Sequence, residues 1–211
     1  AIVMPDNLNN ARYTIVLKLD ESTLDLSGTA AYLSYTEDFY VSENHVFLTH
    51  VFEDKKQNEN GGYVRNSMTE ISCLTYGGDS FEQKGSAIVR GYVKDQWSMD
   101  EYENVLRVFT TTNETLISEK AYHGEGVHPS LLQTATGISN ASLYCISLDS
   151  FEVVAEVVDF APPHEEVQSV RFDKNIAYVC TSIELSDPVF FFDLSDLSNI
   201  TYKDTGTIDG Y

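Results

Sequence analysis

Metal-ligand side chains crowd together at His123-Gly124-Glu125-Gly126-Val127-His128, where two imidazoles flank a carboxylate. Imidazole and carboxylate suit zinc or nickel. The H-x-x-x-x-H spacing, however, falls on a glycine-containing loop and not on one helix face, and no third ligand is fixed beside it. His123, Glu125 and His128 are therefore expected to be a polar loop that touches a ligand, and no metal is assigned to them. The acidic runs Asp100-Glu101-Tyr102-Glu103 and Asp193-Leu194-Ser195-Asp196 offer the oxygens that calcium takes, but without the D-x-[DN]-x-[DN]-G spacing of a calcium loop. Aspartates at such places close turns by accepting backbone N–H bonds. No cofactor is expected, with calcium as the secondary alternative. Neither the G-x-S-x-G turn of an activated serine nor the G-x-x-x-x-G-K-[ST] phosphate cradle occurs, and no catalytic residue is assigned. Two single residues complete the candidates. Arg171, charged among apolar neighbours, is expected either to pair with an acid on the adjoining sheet or to meet a ligand carboxylate or glycan. Trp97, the only tryptophan, is expected in the core, with a sugar-stacking platform as the alternative.

The chain that must position these groups has 211 residues, 13 basic against 33 acidic, for a net charge of −20. Such a surface repels phosphate backbones, which excludes non-specific nucleic-acid binding. The 13 Tyr and 11 Phe, among many Val, Ile and Thr, fit half-buried pleated surfaces, and an all-β fold follows. No run of 18 apolar residues exists, so no transmembrane helix is expected. Cys73, Cys145 and Cys180 are too widely spaced for a disulfide framework or zinc knuckle and read as packing residues.

Self-similarity supplies the architecture. An Asn turn, a short β-rich run and a closing threonine recur at Glu43–Thr49, Glu103–Thr110 and Lys174–Thr181, with the threonines 61 and 71 residues apart. A second run follows each of them, at Glu70–Tyr76, Ser142–Asp149 and Pro188–Leu194, and an unpaired copy stands at Tyr13–Asp20. Cys73 and Cys145 fall at equivalent places. With a strand before each Asn turn and another after each second run, the unit has four strands, called a to d. The expected fold is a partial β-propeller: three four-stranded antiparallel blades (38–94, 96–160, 166–210) after a leading half blade (12–36), in one segment over 1–211. Because three and a half blades do not close a ring, further blades of the same protein or a second copy are expected to cover the open faces. The b–c connections His50–Thr69 and Thr111–Asn140 are long, whereas Ser182–Asp187 is short. Both long ones must project from one face, as loops, with helical turns expected at Glu114–Lys120 and His128–Thr134.

Beyond the repeat, several segments resemble a known family. They are Gln96-Trp97-Ser98-Met99-Asp100-Glu101-Tyr102-Glu103-Asn104-Val105-Leu106-Arg107-Val108-Phe109-Thr110-Thr111, Ser169–Phe172, Ala177–Thr181 and Asp187-Pro188-Val189-Phe190-Phe191-Phe192-Asp193-Leu194-Ser195-Asp196. The family is the bacterial and archaeal secreted proteins with a C-terminal β-propeller domain, distantly related to WD repeats. The resemblance covers nearly the whole chain, except 115–140, and carries over no catalytic residue. It implies an exported or cell-surface protein, whose export signal is expected outside this chain. The expected function is a non-enzymatic, extracytoplasmic binding or scaffolding module that contacts a protein, peptide or glycan through its b–c insertions. The alternative is the propeller domain of a secreted hydrolase using carboxylates at the channel mouth.

Overall fold

The computed structural model describes residues 2–6, 12–57, 62–77, 80–122, 130–182 and 186–209. A short strand β1 (Ile2–Val3) pairs in parallel with β3 (Leu26–Tyr32), which is antiparallel to β2 (Thr14–Leu19). Three four-stranded antiparallel units follow. The first holds β4 (Phe39–Val41), β5 (His45–Gln57), β6 (Tyr63–Thr75) and β7 (Glu82–Arg90). The second holds β8 (Met99–Tyr102), β9 (Val105–Tyr122), β10 (Ser130–Ser147) and β11 (Val153–Val157). The third holds β12 (Glu166–Asp173), β13 (Ile176–Ser182), β14 (Ser186–Asp193) and β15 (Thr201–Asp209). This is the expected half blade followed by three blades.

The central strands of the first and second blades are buried on both faces because each sheet stacks between neighbours, whereas β2, β12 and β13 of the outer units alternate. All of His45–His50, Leu106–Thr112 and Ala141–Ile146 are buried. Three separate cores fill the gaps. Val3, Ala30, Tyr32, Val46, Leu48 and Leu74 lie between half blade and first blade. Phe47, Ile71, Cys73, Met99, Val108 and Ile146 lie between the first and second. Phe109, Leu143, Cys145, Val179, Phe190 and Phe192 lie between the second and third. Burying each phenylalanine contributes about 1.5–3 kcal/mol. Burial also pushes the Cys73 thiol up to about 12 and the Cys145 thiol to about 11, so both stay protonated packing groups.

The closing threonines pin strand b to the chain entering or leaving a blade. The Thr49 hydroxyl donates to the Asp38 carbonyl at 2.7 Å, that of Thr110 to the Arg90 carbonyl at 2.8 Å, and that of Thr181 to the Glu165 carboxylate. The Asn turn between β8 and β9 places Glu103 and Asn104 at φ 50° and 64°, as a tight hairpin requires.

The long connections differ from expectation. They are not loops, and neither 114–120 nor 130–134 is helical: β5 and β6 pair without break from His45↔Thr75 to Gln57↔Tyr63, and β9 with β10 from Val105↔Ser147 to Tyr122↔Ser130. The reason is local composition. Thr111, Thr112, Thr115 and Ile117 pair with Ala141, Asn140, Gly137 and Ala135, and β-branched residues with a ready antiparallel partner prefer the pleat to a helical turn.

Candidate functional site

The two ribbons formed by these extensions join each other. Tyr63, Val64, Arg65 and Asn66 of β6 pair with Ile117, Leu116, Thr115 and Glu114 of β9, so the first and second blades merge into one eight-stranded sheet. The switch is made at Gly91. Along Met68–Thr75 the edge of β6 is taken by β7, which ends at Arg90; the Gly91 N–H then bonds the Ser67 carbonyl at 2.7 Å and the chain turns away. Gly91 has φ +94°, and a Cβ there would stand 2.5 Å from the Thr111 carbonyl oxygen. Glycine is what permits both the turn and the approach of β9.

What projects is therefore a sheet in the order β5-β6-β9-β10. On one of its faces Val64, Glu114, Leu116, Thr136 and Ile138 stand together, with Leu116 40% and Ile138 52% exposed. At its root lies a cleft of about 270 Å³ lined by Arg90, Thr112, Glu114, Ile138, Asn140, Asp159 and Pro163. Arg90 stands 3.3 Å from Asp159 and 4.0 Å from Glu114, and the Thr112 hydroxyl donates to Asp159 at 3.0 Å. One guanidinium thus faces two carboxylates, and the cleft keeps a negative excess.

The inner rim holds two of the residues singled out from sequence. Trp97 lies in a 3-10 turn, Gln96–Ser98, that packs against β4 and β12 and is capped by the Asp95 carboxylate, which accepts the N–H groups of Trp97 and Ser98 at 2.9 and 3.2 Å. Its side chain is not core but 67% exposed. The cap directs the turn inward through Ser98 and leaves the indole outside. Arg171 is likewise exposed, on β12 opposite Tyr178, and makes no ion pair among the described residues. Arg171 and Tyr178, itself 43% exposed on the interior strand, lie on the face of the third blade turned away from the second, whereas Phe172, Ala177 and Val179 on the other face fill the core between the two blades. His123, Glu125 and His128 lie outside the described residues, and no group of three His, Cys, Asp or Glu side chains among the described residues is placed to hold a metal.

The arginine that locks the stack is Arg107, which spacing alone did not single out. It is 3% exposed on β9. Its Nε donates to Asp100 at 3.1 Å, its terminal nitrogens to Asp100 and to the Lys174 carbonyl of the next blade, and its guanidinium lies 5.0 and 4.9 Å from the rings of Tyr102 and Phe172. The available signal was a charge inside the apolar b run Val105–Phe109. Glu101 serves the other junction, with His45 Nδ1 2.9 Å away and the Ser42 hydroxyl donating at 2.5 Å. The two acidic runs are thus engaged by protein groups: Asp100 and Glu101 as above, and Asp193 and Asp196 in turns whose Ser195 and Ser198 bonds lower both carboxyls.

Upward-shifted carboxyls occur side by side at Glu37 and Asp38, at the entry to β4. Burial raises both, and the Asp95 charge adds to the rise at Asp38. Behind them the half-blade junction buries His50, whose Nδ1 lies 3.0 Å from the Ser34 hydroxyl and whose Nε2 has no partner. Burial also lifts the Tyr32 phenol to about 12, with Ser72 opposing and Glu70 and Glu37 adding. An apolar groove of about 470 Å³ opens nearby between β2 and Phe39, Val41, Val46 and Leu48, on the β2 edge that carries strand b in the complete units.

Tandem four-stranded antiparallel sheets, stacked face to face with their b–c ends on one side, define a β-propeller segment. The family model for the beta propeller domain matches residues 1–211, and the chain belongs to that family. A search of curated proteins finds no match. No helix of the described residues is long and apolar enough to cross a membrane.

Proposed function

We propose that this chain is the propeller part of a non-catalytic, extracytoplasmic binding module that takes a polypeptide partner on the sheet its two ribbons build. The observation that carries this is the β6–β9 pairing, which turns two connections into one rigid platform with a cleft at its root. Loops of a repeat scaffold that serve only as connections stay short, as Ser182–Asp187 does; extensions held in register across two blades present a surface. Trp97 and Arg171 at the inner rim form the second contact region of the same reading, suited to a glycan or a carboxylate. The resemblance to secreted propeller proteins supports the address.

A displayed peptide library and a glycan array, with hydrogen exchange to map each hit, test the proposal. Ligands that protect β6, β9 or β10 residues of the platform support it. The rival is a hydrolase using Asp38 and Asp95, favoured by their mutual charge effect at the rim. Turnover of a glycoside or peptide, lost in Asp38→Asn and Asp95→Asn, would replace the binding reading. Protease accessibility on intact source cells checks the address, and full protection there contradicts it.

A further inference from the structure

The platform has two outer edges, and they are unlike. That of β5 carries Glu53, Asp54, Lys55 and Lys56, the charged protection natural edge strands use against stray pairing. That of β10 carries none: from Ser130 to Leu148 there is no charged residue. β11 covers β10 only over Leu143–Ile146, and Ala135–Ile138 are exposed, with no strand partner on that side among the described residues.

The repeat shows what this edge is shaped to receive. Cys73 and Cys145 are equivalent, 72 residues apart, so Ala135–Ile138 of β10 correspond to Tyr63–Asn66 of β6, the four residues on which β9 docks. The junction before them is also repeated. His164, at φ 73°, bonds the Ser139 carbonyl at 2.8 Å where Gly91 bonds that of Ser67. In both blades the edge is therefore released at the same point. On β6 the long b strand of the next blade takes it, whereas on β10 the next b strand, β13, stops at Ser182. Since the Ser139 carbonyl points outward, strand alternation aims the N–H and C=O groups of Gly137 and Ala135 at the same open side.

Resting on the binding reading above, we infer that Ala135–Ile138 of β10 accept an extended segment of a partner protein as an added antiparallel strand, with a lysine opposite Ile138. The residue opposite Ile138 takes the place that Glu114 takes opposite Asn66. There its methylene stem would lie on Ile138 and Pro163 while its ammonium reached the cleft, where Asp159 and Glu114 outnumber Arg90. A second copy is the poorer occupant, because edge-to-edge pairing would bring −20 against −20.

The probe is a fluorescent peptide copying residues 110–118 with Glu114→Lys, titrated into the chain and followed by anisotropy and hydrogen exchange. It is expected to bind, to protect the amides of Ala135 and Gly137, and to exceed the unaltered copy about tenfold in affinity at low salt. Gly137→Pro removes an outward donor at a residue with ordinary φ and open surroundings, and should weaken binding about tenfold. Should that variant misfold by circular dichroism, Ile138→Lys at an exposed position decides, with the same expected loss. Equal affinity for the two peptides, protection elsewhere, no effect of either variant, or no binding up to about 1 mM overturns the inference. So does a dimer that protects Ala135 and Gly137 without peptide, which gives the edge to a second copy. Library ligands that protect other parts of the platform while this peptide fails overturn this inference and leave the binding reading standing.

Discussion

Between the first and second blades the chain crosses by main-chain pairing, β6 on β9 above a core built on Phe47 and Ile71. Between the second and third it crosses by rings. Phe160 meets Phe109, Phe190, Phe192 and Tyr202 with centroids 4.9–6.0 Å apart, mostly edge to face, and Arg107 spans the gap to the Lys174 carbonyl. The same stacking problem is thus met once with backbone, which tolerates many sequences, and once with side-chain shape, which tolerates few. The first junction should open only with its blades, and the second should respond to single side chains.

The largest expected effect follows from that contrast. Phe192→Ala, at a fully buried ring touching Phe109, Phe160 and Tyr202, should cost about 3–5 kcal/mol in urea unfolding. In native-state hydrogen exchange, β13 should lose protection while β5 and β6 keep theirs. Equal losses in both places would mean that the junctions are one cooperative unit. Next is Arg107. Arg107→Met strands the Asp100 carboxylate, which is partly solvated at 26% exposure, for an expected cost of about 2–3 kcal/mol. Arg107→Lys should restore little, because an ammonium lacks the planar fork that serves Asp100, the Lys174 carbonyl and two rings together. A lysine variant as stable as the parent would reduce the clasp to a simple charge pair.

Arg107 and Arg171 also show what was legible. Both are charges inside apolar β runs, so the sequence displays them alike. Which one is buried depends on the face it occupies: Arg107 lies between the second and third blades, against Lys174 and Phe172, whereas Arg171 shares with Tyr178 the third blade's face away from the second. The repeat itself, with its threonines, its paired cysteines and the three-and-a-half-blade architecture, was readable because stacking demands the same residue types in every unit. The ribbons were not, since Thr111–Ile117 suit a strand only once β6 and β10 lie beside them, and that pairing joins residues far apart in the chain. Trp97 was misjudged for a similar reason: residue type suggested burial, but the Asp95 cap decides which way the turn faces.

Gly91 and His164 sharpen the comparison at the next level down, since they hold equivalent places with positive φ. Gly91→Ala should cost roughly 1–3 kcal/mol, because a Cβ meets the Thr111 carbonyl as well as the backbone strain. Loss of protection should begin in Tyr63–Asn66, where β9 docks. At His164 the strain is already carried, so His164→Gly should stabilise slightly, by about 1 kcal/mol or less. Paired melts of the two variants check this. An alanine at 91 that leaves the β6–β9 amides protected would show that the docking does not depend on the turn.

The smallest effect belongs to the half-blade junction, at the carboxyl of Glu37, whose side chain keeps 32% of its surface exposed. Glu37 accepts the Val51 N–H at 3.0 Å and lies 3.9 Å from His50, yet burial still holds its carboxyl above the usual range. A carboxyl whose folded pKa exceeds its unfolded value costs nothing when protonated in both states. It costs stability as pH rises through the unfolded and then the folded value, and that cost is complete above the folded one. Glu37→Gln retains an acceptor for Val51 and cannot ionise. Its stability relative to the parent should therefore improve between pH about 3.5 and pH 7, by less than any change above. Urea midpoints at the two pH values test the sign. If the variant instead loses ground as pH rises, the ionised Glu37 gains more from the Val51 N–H and from His50 beside it than burial costs it, and charge adds to the apolar core that joins the half blade to the first blade.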